Sequence, residues 1–284
     1  MLKKFALITG CGQGGIGHAL TEEFVRQGFT VIATLLEHES DEHLQSPQIH
    51  MLRLDVTKEA DVASFYEKVF KICEGRLDVL VNNAGICYTM TAADTDVRSV
   101  EKMFAVNLFG PMRMVHHFHR MIIAAKGIII NIGSIGGISP YVFGASYNAS
   151  KAALHHWGNT VRVEMQPFGV RVMNVISGEV STNILKSDVH DGRQLPPDSV
   201  YQPIAEVFKA HIHRTPSTMT PAEYAKGVVA KSTAKSPPAW FWHGNSTTIV
   251  RLLDALFPRT VFDGMFFKWF SLEKLQNTFV ADRG

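Results

Sequence analysis

FALITGCGQGGIGHALTEEF, residues 5–24, holds three structural signals in a row. Phe5 to Thr9 is a short apolar run that stops at glycine, and Ile16 to Phe24 reads as a helix with a polar outer face. Between them lies TGCGQGGIG, Thr9 to Gly17. Strand, glycine turn and helix in that order let backbone amides and a helix N-terminus approach a pyrophosphate with no Cβ in the way. Glycines also serve plain tight turns, so the loop takes its meaning from its surroundings.

Downstream, Phe29 to Leu35 supplies a second strand, MLRL leading to Asp55-Val56 a third, and Asp78 to Val81 a fourth that runs into Asn82-Asn83-Ala84-Gly85. Helical segments over Ile16 to Gln27, Glu59 to Cys73 and Val97 to His119 separate them. Short apolar strands at this spacing are buried on both faces, the mark of βαβ units on a parallel sheet. The expectation is an α/β protein with a doubly wound parallel sheet of seven strands, residues 1–284 forming a single domain. An acidic residue at the end of the second strand would hold the adenosine ribose of a non-phosphorylated dinucleotide. Thr34-Leu35-Leu36 stand there instead, so Glu37 or His38 takes part only if the loop turns back.

Polar chemistry gathers in GIIINIGSIGGISPYVFGASYNASK, Gly127 to Lys151. An apolar strand breaks off at Ser134, and a helix opening near Ser146 carries Tyr147 and Lys151 on one face. A hydroxyl, a phenol and an ammonium converging on one oxygen can move a proton to or from an alcohol or carbonyl. Tyr/Lys pairs at this spacing also occur on plain helices; the strand-end serine and the glycine loop favour chemistry. Asn107, in FAVNLFG, is an unusual choice for an apolar helix and must be hydrogen-bonded or hold something, for instance a water leading away from Lys151.

Composition narrows the alternatives. Lys plus Arg number 28 against 26 Asp plus Glu, so no net field and no basic run points to a nucleic-acid partner. Cys11, Cys73 and Cys87 are odd in number and far apart, which fits a reducing compartment. MLKKFALITG lacks an h-region and reads as a first strand, not a signal peptide. Neither His155-His156 nor His116, His117 and His119 has acidic or cysteine partners at ligand spacing, and no metal is expected. Val170 to Ile184, VRVMNVISGEVSTNI, is a further strand followed by a glycine loop over the sheet edge. Residues 183–219, polar and bearing Pro196, Pro197, Pro203 and Pro216, are expected to form a substrate lid. Thr220-Pro221-Ala222-Glu223 starts a helix that continues to about Lys231. A C-terminal extension over 239–284 carries Phe262, Phe266, Phe267, Trp269 and Phe270, a cluster too short to span a membrane. Two readings compete for it: packing within the fold or against a second copy, and interfacial contact with a membrane or lipid droplet.

Residues 3–235 resemble the classical short-chain dehydrogenase/reductase family, through the glycine loop Thr9 to Gly17, Asp55-Val56, Asn82 to Gly85, Asn107, Ser134, Tyr147 to Lys151, and Ser177-Gly178 with Thr182. The resemblance implies a Rossmann fold and hydride transfer between a nicotinamide cofactor, NADP favoured over NAD, and a ketone or secondary alcohol. It implies Tyr147 as acid/base, Lys151 on the nicotinamide ribose and lowering the phenol pKa, Ser134 orienting the carbonyl, and Asn107 supporting a relay water. Cofactor contacts are implied at Gly10, Gly12, Gln13, Gly15 and Ile16, at Leu35, Asp55 and Val56, at Asn83, Ala84 and Gly85, and at Gly178, Val180 and Thr182, besides Tyr147 and Lys151. Two departures stand out: the glycine loop is one residue longer than usual, and Ser177 stands where the family generally has proline.

More narrowly, the stretches MVHHFHRMIIAAKGIIINIGSIGG, VEMQPFGVRVMNVISGEVST and MTPAEYAK are similar to fungal NADPH-dependent 1-acyldihydroxyacetone-phosphate reductases, and to many reductases of fungal secondary metabolism. The former associate with lipid droplets and endoplasmic reticulum. Leu36-Glu37 replaces the arginine pair such reductases carry, which leaves NAD open. The resemblance implies a cytoplasmic homo-oligomer, peripheral to endoplasmic reticulum or lipid droplets through the aromatic segment. The lining expected of the pocket, Cys87 to Thr91, Ile135 to Phe143 and residues 183–219, suits a bulky hydrophobic substrate, a lipid or secondary metabolite. The rivals are a non-redox isomerase, dehydratase or cyclase on the same fold, and a catalytically inactive nucleotide-binding scaffold.

Overall fold

Successive residues of the first strand, β1 (Phe5–Ile8), enter different cores: Ala6 and Ile8 pack with Leu20, Phe24 and Val228, whereas Phe5 and Leu7 pack with Val62, Phe65 and Phe118. That alternation is what a strand buried on both faces requires. The computed structural model describes residues 3–215 and 217–276, except the side chains of 187 and 188; Met1, Leu2, Pro216 and residues 277–284 of the C-terminal extension lie outside the described residues.

β1 is followed by β2 (Thr30–Leu35), β3 (Ile49–Arg53), β4 (Val79–Asn82), β5 (Ile128–Ile132), β6 (Arg171–Ser177) and β7 (Trp240–His243). They form one seven-stranded sheet, all parallel, in the order β3-β2-β1-β4-β5-β6-β7. The chain order reverses between β1 and β4, which opens a crevice at their C-terminal ends. Helix α1 (Ile16–Arg26) lies on one face; α2 (Glu59–Cys73) lies on the other.

The helix expected over Val97 to His119 is interrupted. α3 (Val97–Phe104) and α4 (Gly110–Ala125) are joined by a π turn, Ala105–Phe109, with Asn107 inside it. Such turns are rare and gather at functional sites, because the extra residue re-aims a side chain. After β5, α5 (Ala145–Met165) runs back along the same face as α2.

Residues 183–219 contain α6 (Lys186–His190) and α7 (Ala205–Ile212). α8 (Pro221–Ser232) opens with the expected capping box: Glu223 N donates to Thr220 Oγ1 (3.2 Å) and Thr220 N to Glu223 Oε2 (2.9 Å). Beyond β7 come α9 (Thr247–Leu256) and α10 (Asp263–Trp269). A third apolar cluster joins the 183–219 segment to the C-terminal extension: Leu195, Phe208 and Ile212 meet Tyr88, Met90, Phe143, Phe262, Phe266 and Phe270. Part of the aromatic segment therefore packs within the fold, while Trp269 stays 63% exposed. Among the described residues no helix is long and apolar enough to cross a membrane.

Candidate active site

The glycine loop takes its shape from contacts with the loop after β4. Gly10 adopts φ +70°, and a Cβ there would lie 2.9 Å from Ala84 Cα; one on Gly17 would lie 2.2 Å from Gly10 O. Thr9 Oγ1 accepts from Asn83 N and Ala84 N, each at 3.0 Å, and Asn83 Nδ2 donates to Thr9 O and Gly10 O, each at 2.8 Å. Asn83 and Ala84 thus fasten the two loops together. α1 makes its first intrahelical bond from Ala19 N to Gly15 O, so the amides of Ile16, Gly17 and His18 point outward ahead of it. Open amides, a helix N-terminus and no Cβ from Gly14 to Gly15 form a cradle that fits a pyrophosphate. Gln13 sits on the rim, where its carbonyl accepts from Asn183 Nδ2 at 3.1 Å.

At the adenosine end the acid that turns back is Glu39, not Glu37. Glu39 Oε2 accepts the Leu36 amide at 2.7 Å, and its Oε1 would lie 2.6 Å from a Cβ on Gly12. Arg53 Nη1 holds the turn by donating to Leu36 O and Glu39 O, both at 2.7 Å. Glu37 and His38 are exposed. Leu35 turns its side chain into the core. Asp55 Oδ1 accepts Thr57 N and Thr57 Oγ1, and Val56 packs where a Cβ on Gly110 would intrude.

On the other side of the crevice, Ser134 follows β5 and caps a short turn, its Oγ accepting Gly136 N at 3.0 Å. The Ser134 hydroxyl and the Tyr147 ring meet beside Gly136, where a Cβ would lie 3.3 Å from Ser134 Oγ and 3.6 Å from Tyr147 Cε1. Burial, then Cys87 nearby, push the phenol pKa above its ordinary value, and the nearby Ser134 hydroxyl pulls it back. Lys151 is buried, with Nζ donating to Ile132 O at 2.9 Å and lying 5.8 Å from the Tyr147 ring centre. Burial lowers its pKa from 10.5 to about 8, with Cys87 opposing. Gly85 faces this group: a Cβ there would lie 3.5 Å from Lys151 Nζ and 3.4 Å from Asn107 Oδ1. Asn107 Oδ1 accepts Ile86 N (2.9 Å), and its Nδ2 donates to Ile86 O (3.0 Å) and Ser150 Oγ (3.1 Å). The amide thus clamps the loop after β4 to α5, with Asn107 and Lys151 meeting beside Gly85.

The loop after β6 closes over the crevice. A Cβ on Gly178 would overlap Asn245 O, and Val180 bridges Met219. Thr182 follows at the rim, next to the Asn183 that reaches Gln13. Ser177, in place of the family's proline, hydrogen-bonds the fully buried Tyr224 hydroxyl. Sequence reasoning missed Glu39, Asn183 and a buried row of Asn131, Asn174 and His155. The last had a readable signal, since an asparagine inside IIINI or VMNVI must find a partner. Among the described residues no group of three His, Cys, Asp or Glu side chains could hold a metal ion.

Known proteins agree with this geometry. Residues 4–192 match the short chain dehydrogenase family. Over 277 residues the chain is 67% identical to the short-chain dehydrogenase RED1 of Pyricularia oryzae, covering 97% of this chain and 98% of that protein. Identity to the NADPH-dependent 1-acyldihydroxyacetone phosphate reductase of Schizosaccharomyces pombe is 38% over 225 residues, 78% of this chain and 76% of that protein. The narrower resemblance is therefore corrected: the chain stands nearer to fungal short-chain dehydrogenases such as RED1. Among solved structures, a short-chain dehydrogenase from Streptomyces avermitilis superposes with a TM-score of 0.77 at 25% identity, covering 96% and 98% of the two chains. ElxO with NADP bound gives 0.68 at 27% identity, covering 85% and 97%. Fold, crevice and relatives together place the chain in the short-chain dehydrogenase family, the NAD(P)-dependent oxidoreductases.

Proposed function

We propose that this protein exchanges a hydride between NADP(H) and a ketone or secondary alcohol on a bulky hydrophobic substrate, with Tyr147 moving the proton. The observation that carries the reading is the approach of the Tyr147 ring and the Ser134 hydroxyl beside Gly136, between the dinucleotide crevice and the third apolar cluster. The open amides at the start of α1 fit the pyrophosphate, and relatives solved with NADP support the choice of cofactor. When bound, the nicotinamide supplies or receives the hydride. Ser134 orients the substrate oxygen, Lys151 binds the ribose hydroxyls, and Asn107 fixes the loop that carries Gly85 and supports a relay water. Burial keeps the phenol protonated near neutral pH, the state needed to donate to a ketone.

Tyr88, Met90, Phe143, Leu195 and Phe208 favour a greasy substrate. Arg193 and Arg214, which could otherwise receive a substrate phosphate, are turned to other partners: Arg193 to Asp191 and the Tyr88 ring, Arg214 to Glu179 and His211. On the outside, Ile249, Leu252, Leu256 and Trp269 are each at least half exposed, which supports an apolar contact with a second copy or a lipid surface. Light scattering and vesicle flotation separate these two.

The test of the chemistry is Tyr147→Phe. NADPH binding, followed by fluorescence, should persist while turnover of a carbonyl panel disappears. Retained turnover would sink the mechanism. Product formation with no change in reduced-nicotinamide absorbance would favour a non-redox isomerase or dehydratase.

A further inference from the structure

One row of buried polar side chains runs from the sheet to Ser134. Asn82 Nδ2 donates to Asn131 Oδ1 (2.8 Å), Asn131 Nδ2 to Asn174 Oδ1 (3.0 Å) and Asn174 Nδ2 to His155 O (3.2 Å), linking β4, β5, β6 and α5. All four residues are at most 3% exposed. The His155 ring completes the row, because its Nε2 accepts the Ser134 backbone N–H at 3.1 Å. An accepting Nε2 puts the ring proton on Nδ1.

The chain makes room for this ring. A Cβ on Gly133 would lie 2.1 Å from His155 Nε2, and one on Gly137 would lie 2.7 Å from Cε1. Glycines on both sides of the Ser134 turn therefore admit an imidazole to its inner face, where Trp240 covers it at a ring distance of 5.7 Å. Burial, then the Lys151 charge, push the ring pKa down to about 3, so it stays a neutral acceptor at working pH. Without that acceptor the Ser134 N–H would be unpaired inside the fold, and the turn would have to move to satisfy it.

We propose that His155 is the positioning residue for Ser134: its main chain is tied to the sheet through Asn174 and Asn131, and its imidazole holds the Ser134 backbone so that the hydroxyl faces the Tyr147 phenol. The proposal deepens the function above and rests on Ser134 and Tyr147 facing the substrate oxygen. A residue that only supports the fold would lower stability and cofactor binding together. A positioning residue instead lowers kcat and disturbs the phenol's titration.

The test uses the full chain, with oxidation of 2-decanol by NADP+ as the probe reaction. His155→Met should lose about tenfold or more in kcat while the NADPH dissociation constant stays within about twofold. The acid limb of kcat/KM should move to higher pH, since a displaced Ser134 hydroxyl no longer lowers the phenol pKa. His155→Gln, whose side-chain oxygen reaches the same N–H, should recover most of kcat. A His155→Met enzyme with unchanged kcat and pH limb, or a glutamine variant no better than methionine, would overturn the proposal.

A second measurement needs neither substrate nor the methionine variant. In 15N-histidine-labelled wild type, the imidazole whose signals vanish in His155→Gln should be an Nδ1–H tautomer from pH 8 to pH 5. An Nε2–H tautomer, or titration in that window, would overturn the proposal even if the wild type ignored 2-decanol and the functional reading failed on its own.

Discussion

Lys151 should make the free protein less stable, and removing it should show this. Its folded pKa is about 8 against 10.5 in solution. That difference corresponds to about 3 kcal/mol disfavouring the charged form at neutral pH. Replacement by methionine removes this cost but leaves Ile132 O without the Nζ–H it accepts at 2.9 Å, a loss of about 1 kcal/mol. Lys151→Met is therefore expected to gain about 2 kcal/mol at pH 7. With an unfolding entropy of about 2.1 cal/mol/K per residue over 284 residues, that raises Tm by about 3 °C. The sign with pH follows from the depressed pKa. Between pH 8 and 10.5 the unfolded chain binds more protons than the folded one, so wild-type stability climbs with pH through that window. The variant has no such climb, and its advantage should shrink and then reverse toward pH 10. Cofactor-free urea melts at pH 7 and pH 10 measure both terms. A methionine variant less stable at pH 7, by a margin that does not change with pH, would refute the reasoning.

Two further substitutions test particular contacts. Glu39→Gln removes the charge beside Gly12 and should shift the ratio of NADPH to NADH dissociation constants about tenfold toward NADPH, or about 1.4 kcal/mol, as read by separate fluorescence titrations. An unchanged ratio would mean that the carboxylate does not face the ribose. Ser177→Pro restores the family's residue but leaves the buried Tyr224 hydroxyl unpaired, and the urea midpoint should fall by the equivalent of about 1–3 kcal/mol. A variant as stable as wild type would show that Tyr224 finds another partner.

The parts legible in the sequence were those governed by periodicity and local capping. The range expected for α2, the opening of α5 near Ser146 and the Thr220 capping box match the structure because apolar spacing and the Thr-Pro-Ala-Glu signal are local. The Val97 to His119 segment has the same apolar spacing, but its ladder is interrupted at Asn107. That break depends on Ile86 and Ser150, partners 21 and 43 residues away. Glu39 escaped for a similar reason. Reading the residue at the end of β2 assumes a straight exit, whereas Arg53, from the next strand, curls the loop back by binding Leu36 O and Glu39 O. Long-range polar contacts leave no periodic trace, although a lone asparagine in an apolar strand marks where one must exist.

A glycine loop one residue longer than usual would favour an inactive scaffold if the added residue blocked the cofactor site. Where the extra residue goes bears on that rival. Gln13 and Gly14 are exposed, whereas Cys11 and Gly17, at the two ends of the loop, are buried. Cys11 N is fixed to Thr34 O at 2.8 Å, and Gly17 has no space for a Cβ against Gly10 O and Asn83 Nδ2. Both ends are therefore pinned by the sheet and by the loop after β4, and the added length can be taken up only at the solvent side. There Gly14 adopts φ +72°, and Asn183 holds Gln13 O. The bulge leads away from the amides of Ile16 and Gly17, so the insertion leaves the cradle at the start of α1 open. The feature that favoured a retired scaffold then gives no support to it, and the polar groups around Tyr147 are left to the chemistry their arrangement suits.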